Sequence, residues 1–226
     1  MIKNVLMITE DFYIEEINLS YSVLISKIEL AERNYRLQEI FDLIERFQQK
    51  FSNIILQFFD PGIILNEDHI FSAIYFMVKA FKQGINISNK KNIELLLYLS
   101  GNRQIKKALP VVGISETNIK KKELYYCIIS SENEIKPINE EILEDLDAKV
   151  LDLDINHQTI NKFNKIKDHF KISDEELMVV LNSYGIDVPE IKINMKNIED
   201  YYYSLMDLVC ERMALLSLDS VKLDLD

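Results

Sequence analysis

The sequence predicts a mixed α and β fold. Short apolar runs bounded by turn residues read as strands, and between them apolar residues recur at three- and four-residue spacing, the mark of helices with one buried face. A 226-residue chain with 48% hydrophobic residues can bury a sizeable core, so residues 1–226 are expected to form a single domain. At 28% charged residues, with no polar low-complexity block, the composition is that of an ordered globular protein.

The elements are expected in the following order. Residues 5–8 read as a strand, and residues 13–50 as a helical stretch broken near Asn34. The second half of that stretch carries Leu37, Ile40, Phe41, Ile44 and Phe47 on one stripe. Residues 1–53 would thus be an extended, mainly helical N-terminal part of the domain. Residues 53–59, rich in Ile and Phe and stopped by Asp60-Pro61-Gly62, read as a buried strand. A helix follows Asn66, a good N-cap with Glu67 and Asp68 in its first turn, and Gly84 ends it. Ser88 is the expected N-cap of the next helix, which stops at Ser100-Gly101.

Between Asn102 and Val112 a short helix would place Arg103, Lys106 and Lys107 on one face and Ile105, Ala108 and Leu109 on another. Residues 123–130 give the strongest strand signal, and residues 149–153 alternate as a further strand after a helix over 139–146. Asn156 is expected to cap a helix ending near Phe170, and Ser173 with Glu176 has capping-box spacing. The last helix is expected over 194–216, with Ile198, Tyr202, Leu205, Val209, Met213 and Leu216 along its apolar stripe.

The motifs of catalysis are absent. Five glycines form neither GxGxxG nor GxxxxGK[ST], and His69, His157 and His169 have no metal-ligand spacing. Adjacent acids such as Glu140 and Glu141 read as solvated faces, and no nucleophile elbow surrounds Ser130 and Ser131. The expectation is a protein that is not an enzyme and takes no cofactor and no metal. Cys127 and Cys210 read as buried, inert thiols. Glu10 and Asp11 directly follow the only early apolar run, and no stretch approaches a membrane span, so a cytoplasmic protein with no membrane partner is expected.

Charge is distributed unevenly. Between Lys82 and Lys122 nine Lys or Arg face two acids, a local +7 within a chain of net charge −11. That block reads either as a solvated face or as a site for a polyanion. If the latter, Arg103, Lys106, Lys107, Lys90 and Lys91 would meet phosphates, and Asn102 and Gln104 would hydrogen-bond to bases or sugars.

The run HIFSAIYFMVKAFKQGINISNKKNIELLLYLSGNRQIKKALPVVGI, residues 69–114, closely resembles the kinase-binding subunit of KEOPS, whose animal form is called the PRPK-binding protein. It keeps His69, Ala73, Ala80, Phe81, Leu97, Leu99, Ser100, Gly101, Arg103, Gln104, Ile105, Ala108, Leu109, Gly113 and Ile114 of that family's pattern. Residues 170–173 are similar to its FGI(S/T) turn, and residues 206–216 to its terminal LxDLVxERxALL helix. The resemblance spans about residues 54–219, with residues 177–192 reading as an insertion.

The resemblance implies an α+β fold, with helices packed against a small, largely antiparallel β-sheet. It implies docking on the atypical kinase subunit of KEOPS through an apolar surface around Ala73, Phe76, Val209, Arg212 and Leu216. It also implies binding of tRNA by its single-stranded 3′ CCA end, for threonylcarbamoyl adenosine formation by the complex's catalytic subunit. The alternative is a stand-alone adaptor that docks a partner through its C-terminal amphipathic helix, without RNA.

Overall fold

The structure, a computed structural model, describes residues 6–131 and 135–218. In chain order the first half holds β1 (Met7–Ile14), β2 (Leu19–Glu29), α1 (Leu37–Lys50), β3 (Ile54–Phe59), α2 (Glu67–Gln83), α3 (Lys91–Ser100) and α4 (Ile105–Val112). The second holds α5 (Glu116–Lys121), β4 (Glu123–Ser130), α6 (Ile135–Asp145), β5 (Lys149–Leu151), α7 (Ile160–Phe170), α8 (Asp174–Ser183) and α9 (Ile198–Leu218). Every ladder among the described residues is antiparallel, in the order β1-β2-β4-β3 with β5 also on β2, so the fold is α+β as expected. The chain divides into two compact units, Met1–Pro61 with Val112–Asp154, and Gly62–Val111 with Ile155–Asp226.

The first unit is the sheet and its helices. One sheet face presents Leu24, Ile28, Leu56, Phe58, Leu124, Tyr126 and Ile128 to a core shared with Ile40, Leu43, Ile44 and Phe47 of α1 and Ile138 and Ile142 of α6. Register makes this face: Leu24 lies opposite Ile128 and Ile28 opposite Leu124, while Leu56 pairs Ile128 from the other side. The Phe58 and Tyr126 rings meet at 5.1 Å. Lys27 of β2 is buried, yet its ammonium pairs with Glu123 at 3.0 Å and Asp154 at 3.2 Å. Burial pulls its pKa down, but Glu123, Tyr125 and Asp154 outweigh it and hold the pKa above the usual lysine value. Cys127 is fully buried, and burial pushes its thiol up to about 12, which makes it inert.

Here the structure corrects the expectation of helix over residues 13–50 and of a mainly helical part over 1–53. Residues 7–29 form an antiparallel hairpin, closed by a 3-10 turn over Glu15–Ile17 and by Asn18 in the left-handed region, φ 47°. The expected strand over residues 5–8 begins at Met7 and runs further, and Val5 lies outside the described residues. The reason is burial. Residues 21–28 of β2 are all buried, so the period-two alternation of a half-exposed strand is lost and only pairing with β4 reveals the strand.

The second unit is helical. Ile70, Ala73, Ile74, Met77 and Ala80 of α2 are buried, as are Leu95, Leu96, Leu97 and Leu99 of α3, and Leu205, Val209, Met213 and Leu216 of α9. Asn66 accepts a bond from the His69 amide at 3.1 Å, the expected N-cap of α2, and Gly84 ends the helix at φ 71°. Two expected caps move. Thr159, not Asn156, caps α7 by accepting from the Lys162 amide at 3.1 Å. Lys90, not Ser88, precedes α3; the buried Glu94 carboxylate takes the Ile87 amide at 3.0 Å and the Ser88 amide at 2.6 Å. An acid reaching back from the first turn is itself a capping device, and the Ser88 hydroxyl meanwhile accepts from the Lys90 amide at 3.2 Å, ahead of the helix.

His69 is fully buried in α2, where its Nδ1 accepts from the Leu65 amide at 3.3 Å and its ring lies 5.8 Å from Phe170. Burial pushes its pKa from 6.5 down to about 3, against the opposing pull of the Leu99 backbone. Between those values the unfolded chain binds a proton that the folded chain does not. The stability this represents is complete above pH 6.5 and is lost as pH falls toward 3. Urea unfolding across that range should show His69→Gln with a pH slope shallower than wild type by about one proton. Equal slopes would mean that His69 is protonated inside the fold.

Candidate functional site

The candidate segment is built on the end of α3. The Gly101 amide donates to Tyr98 O at 3.0 Å and the Asn102 amide to Leu97 O at 3.1 Å, the two bonds of a Schellman ending, with Gly101 at φ 61°. A Cβ on Gly101 would lie 2.7 Å from Cε1 of Phe170, so the glycine admits the α7 ring as well as the turn. The Ser100 carbonyl accepts from Asn102 Nδ2 at 2.9 Å and meets His169 Nε2 at 2.8 Å. Asn102, expected at the RNA surface, is half-buried and serves the helix end.

Arg103 precedes α4 rather than riding on it, and its guanidinium donates to the carbonyl of Leu216 in the last turn of α9. The bond is charge-assisted and joins the turn after α3 to α9. Tyr98 and Ser217 hydroxyls meet at 2.9 Å alongside it. Sequence reasoning put Arg103 on a cationic face with Lys106 and Lys107; the structure gives it a packing role at a half-buried position.

Lys106, Lys107 and Gln104 are exposed, as expected of groups that meet solvent or a ligand. Ile105 and Leu109, which helical spacing would put on one buried underside with Ala108, are instead 41% and 38% exposed, whereas Ala108 and Val112 are buried, so α4 turns a different side inward. Lys90 and Lys91 are exposed at the far end of α3, about 15 Å from Gly101 along a ten-residue helix.

The residues expected at an apolar docking surface divide. Ala73 and Val209 are fully buried and Leu216 nearly so, which makes them core and out of a partner's reach. Phe76 is half-buried and stacks on Tyr98 at 5.8 Å. Arg212 is half-buried and pairs with Glu176. Glu176 also accepts the Ser173 amide at 2.8 Å; that bond, with Arg212, holds its carboxyl below the usual range. What faces solvent on α9 is a stripe one turn apart, Glu199, Tyr203, Asp207, Glu211 and Leu215, with Tyr203 59% and Leu215 43% exposed. The four-residue repeat was visible in the sequence, but its polar members hid the two apolar ones.

Among the described residues no group of His, Cys, Asp and Glu could hold a metal ion, and no helix is long and apolar enough to cross a membrane. Gly101→Ala should cost on the order of 2–3 kcal/mol, from the left-handed backbone together with the crowded Phe170 ring. The shift of the urea midpoint measures it, and a midpoint matching wild type would mean that the ring moves aside freely.

No curated protein matches the chain. A family profile, that of the kinase binding protein CGI-121, matches residues 26–217, which takes in β4, all of α1 to α8 and all but the end of α9. With that match over most of its length, this chain belongs to the family of the kinase binding protein CGI-121, the kinase-binding subunit family of KEOPS.

Proposed function

We propose that this chain, a non-catalytic subunit, docks the atypical kinase of KEOPS and recruits tRNA by its 3′ CCA end for threonylcarbamoyl adenosine formation by the complex's catalytic subunit. The observation that carries the RNA part is the exposure of Lys106, Lys107 and Gln104 on and beside α4, within the segment that is most like the family. Two ammonium groups one residue apart attract phosphates as point charges, and the Gln104 amide can donate and accept toward a base or a sugar hydroxyl. Lys90 and Lys91 supply a second cationic contact along α3. Lys91 lies 5.8 Å from the Phe81 ring, but few aromatics interleave with these cations along the sequence, so backbone contacts rather than base stacking would dominate.

For the kinase, the accessible apolar groups of α9 are Tyr203 and Leu215, with Phe76 of α2 and Arg212 partly exposed. A stripe that mixes two large apolar side chains with Asp207 and Glu211 suits a partner surface that is apolar with basic rims.

Two measurements test this reading. Lys106→Glu/Lys107→Glu should weaken binding of intact tRNA and lower the log–log salt slope by about 1.4, some 0.7 for each lost contact. Removing the 3′ end of the tRNA should have a comparable effect on the unaltered protein. No binding at moderate salt would overturn recruitment, and the stand-alone adaptor reading would then hold. Leu215→Asp should abolish co-purification with the cognate kinase at an unchanged Tm, whereas Val209→Asp should lower the Tm itself because it buries a charge.

A further inference from the structure

The sheet of the first unit ends differently on its two sides. At one edge β3 is buried along all six residues, and its Leu56 carbonyl accepts from Gln48 Nε2 of α1 at 3.2 Å. At the other, β1 has β2 as its one strand neighbour among the described residues, and five of its eight residues are exposed. Thr9 lies opposite Leu24, and side chains alternate along a strand, so Met7, Thr9, Asp11 and Tyr13 share the sheet face of Leu24. α1 and α6 cover that face over β2, β3 and β4, but the core they form there draws on no residue of β1, and these four side chains meet solvent.

A bare edge is a template for a further strand unless lysine, proline or a bulge blunts it. β1 has no lysine, no proline and an unbroken register, and its charges are Glu10 and Asp11. With Glu15 and Glu16 in the turn that follows, residues 6–26 hold four acids and no Lys or Arg. That sign selects the occupant. Two β1 strands meeting antiparallel about their midpoint would set Glu10 of each copy opposite Asp11 of the other, and like charges directly opposite destabilise a strand pair. A strand carrying Lys or Arg turns the same positions into favourable cross-strand pairs, and exposed Met7 and Tyr13 offer it apolar contact on one face.

We propose that the outer edge of β1 takes up an extended basic segment of a partner protein as a further strand, backbone paired to backbone and Lys or Arg set against Glu10 and Asp11. Residues 7–14 precede the residues 26–217 that the family profile matches, and the inference does not rest on the function proposed above.

The probe is a labelled eight-residue peptide that alternates lysine with valine, titrated into full-length protein at low salt. Its binding should slow amide hydrogen exchange over residues 7–14 about threefold or more and leave β3 unchanged. Methylating the peptide's backbone nitrogens keeps its charge and removes its donors, and should weaken binding about tenfold or more, as should replacing its lysines by glutamate. Glu10→Lys/Asp11→Lys should reverse the order of the lysine and glutamate peptides. Equal affinity for the methylated and parent peptides would overturn strand addition, because charge alone would then hold the peptide, and unaltered exchange over residues 7–14 would overturn it as well. Protection of β1 that rises with protein concentration in the absence of peptide would also overturn it, by assigning the edge to a second copy of the chain. The three peptides are compared on the unaltered protein, so the outcome stands even where the double variant fails to fold.

Discussion

The junction around Gly101 is the point on which the helical unit depends. A left-handed glycine closes α3 with two backbone bonds, and the missing Cβ leaves the space that the Phe170 ring fills. Because the chain turns there, Asn102 folds back on Ser100, His169 reaches the same carbonyl, and Arg103 is delivered to the end of α9. Four helices are thus tied through a few residues. The carbonyls of Leu97, Tyr98 and Ser100, at the end of α3, are answered in this way.

This arrangement explains why a segment so rich in cations is not uniformly a binding surface. Arg103, the residue best suited by chemistry to grip phosphate, is directed to α9, while the lysines three and four residues later face solvent. The +7 block of an otherwise acidic chain therefore combines structural and accessible cations. A similar division holds on α9, where the residues most like the family pattern, Val209 and Leu216, are buried and the accessible apolar groups are Tyr203 and Leu215. Family resemblance concentrates in the core because packing tolerates few alternatives, and surfaces are read only after the core has been subtracted.

Local signals read from the residues matched the structure where the physics was local. Asn66, Gly84, Gly101 and the Ser173 and Glu176 pair all act within one helical turn, and each was legible in order along the chain. The N-terminal hairpin was not, because β2 is covered on both faces and its identity as a strand comes from β4, a hundred residues away. The cap of α3 was misplaced for a milder reason: Ser88 Oγ does accept from a backbone amide, that of Lys90 at 3.2 Å, but ahead of the helix, whose first residue is Lys91.

Amino-acid order by itself determined the α+β class, most helix ends, the kinase-binding family and the cationic character of residues 82–122. Only tertiary structure decided which side of α4 faces solvent, that Arg103 serves α9, and that Ala73, Val209 and Leu216 are core. Periodicity reveals that a helix has an apolar side, but which of its apolar residues is buried depends on what packs against it, and those partners come from elsewhere in the chain.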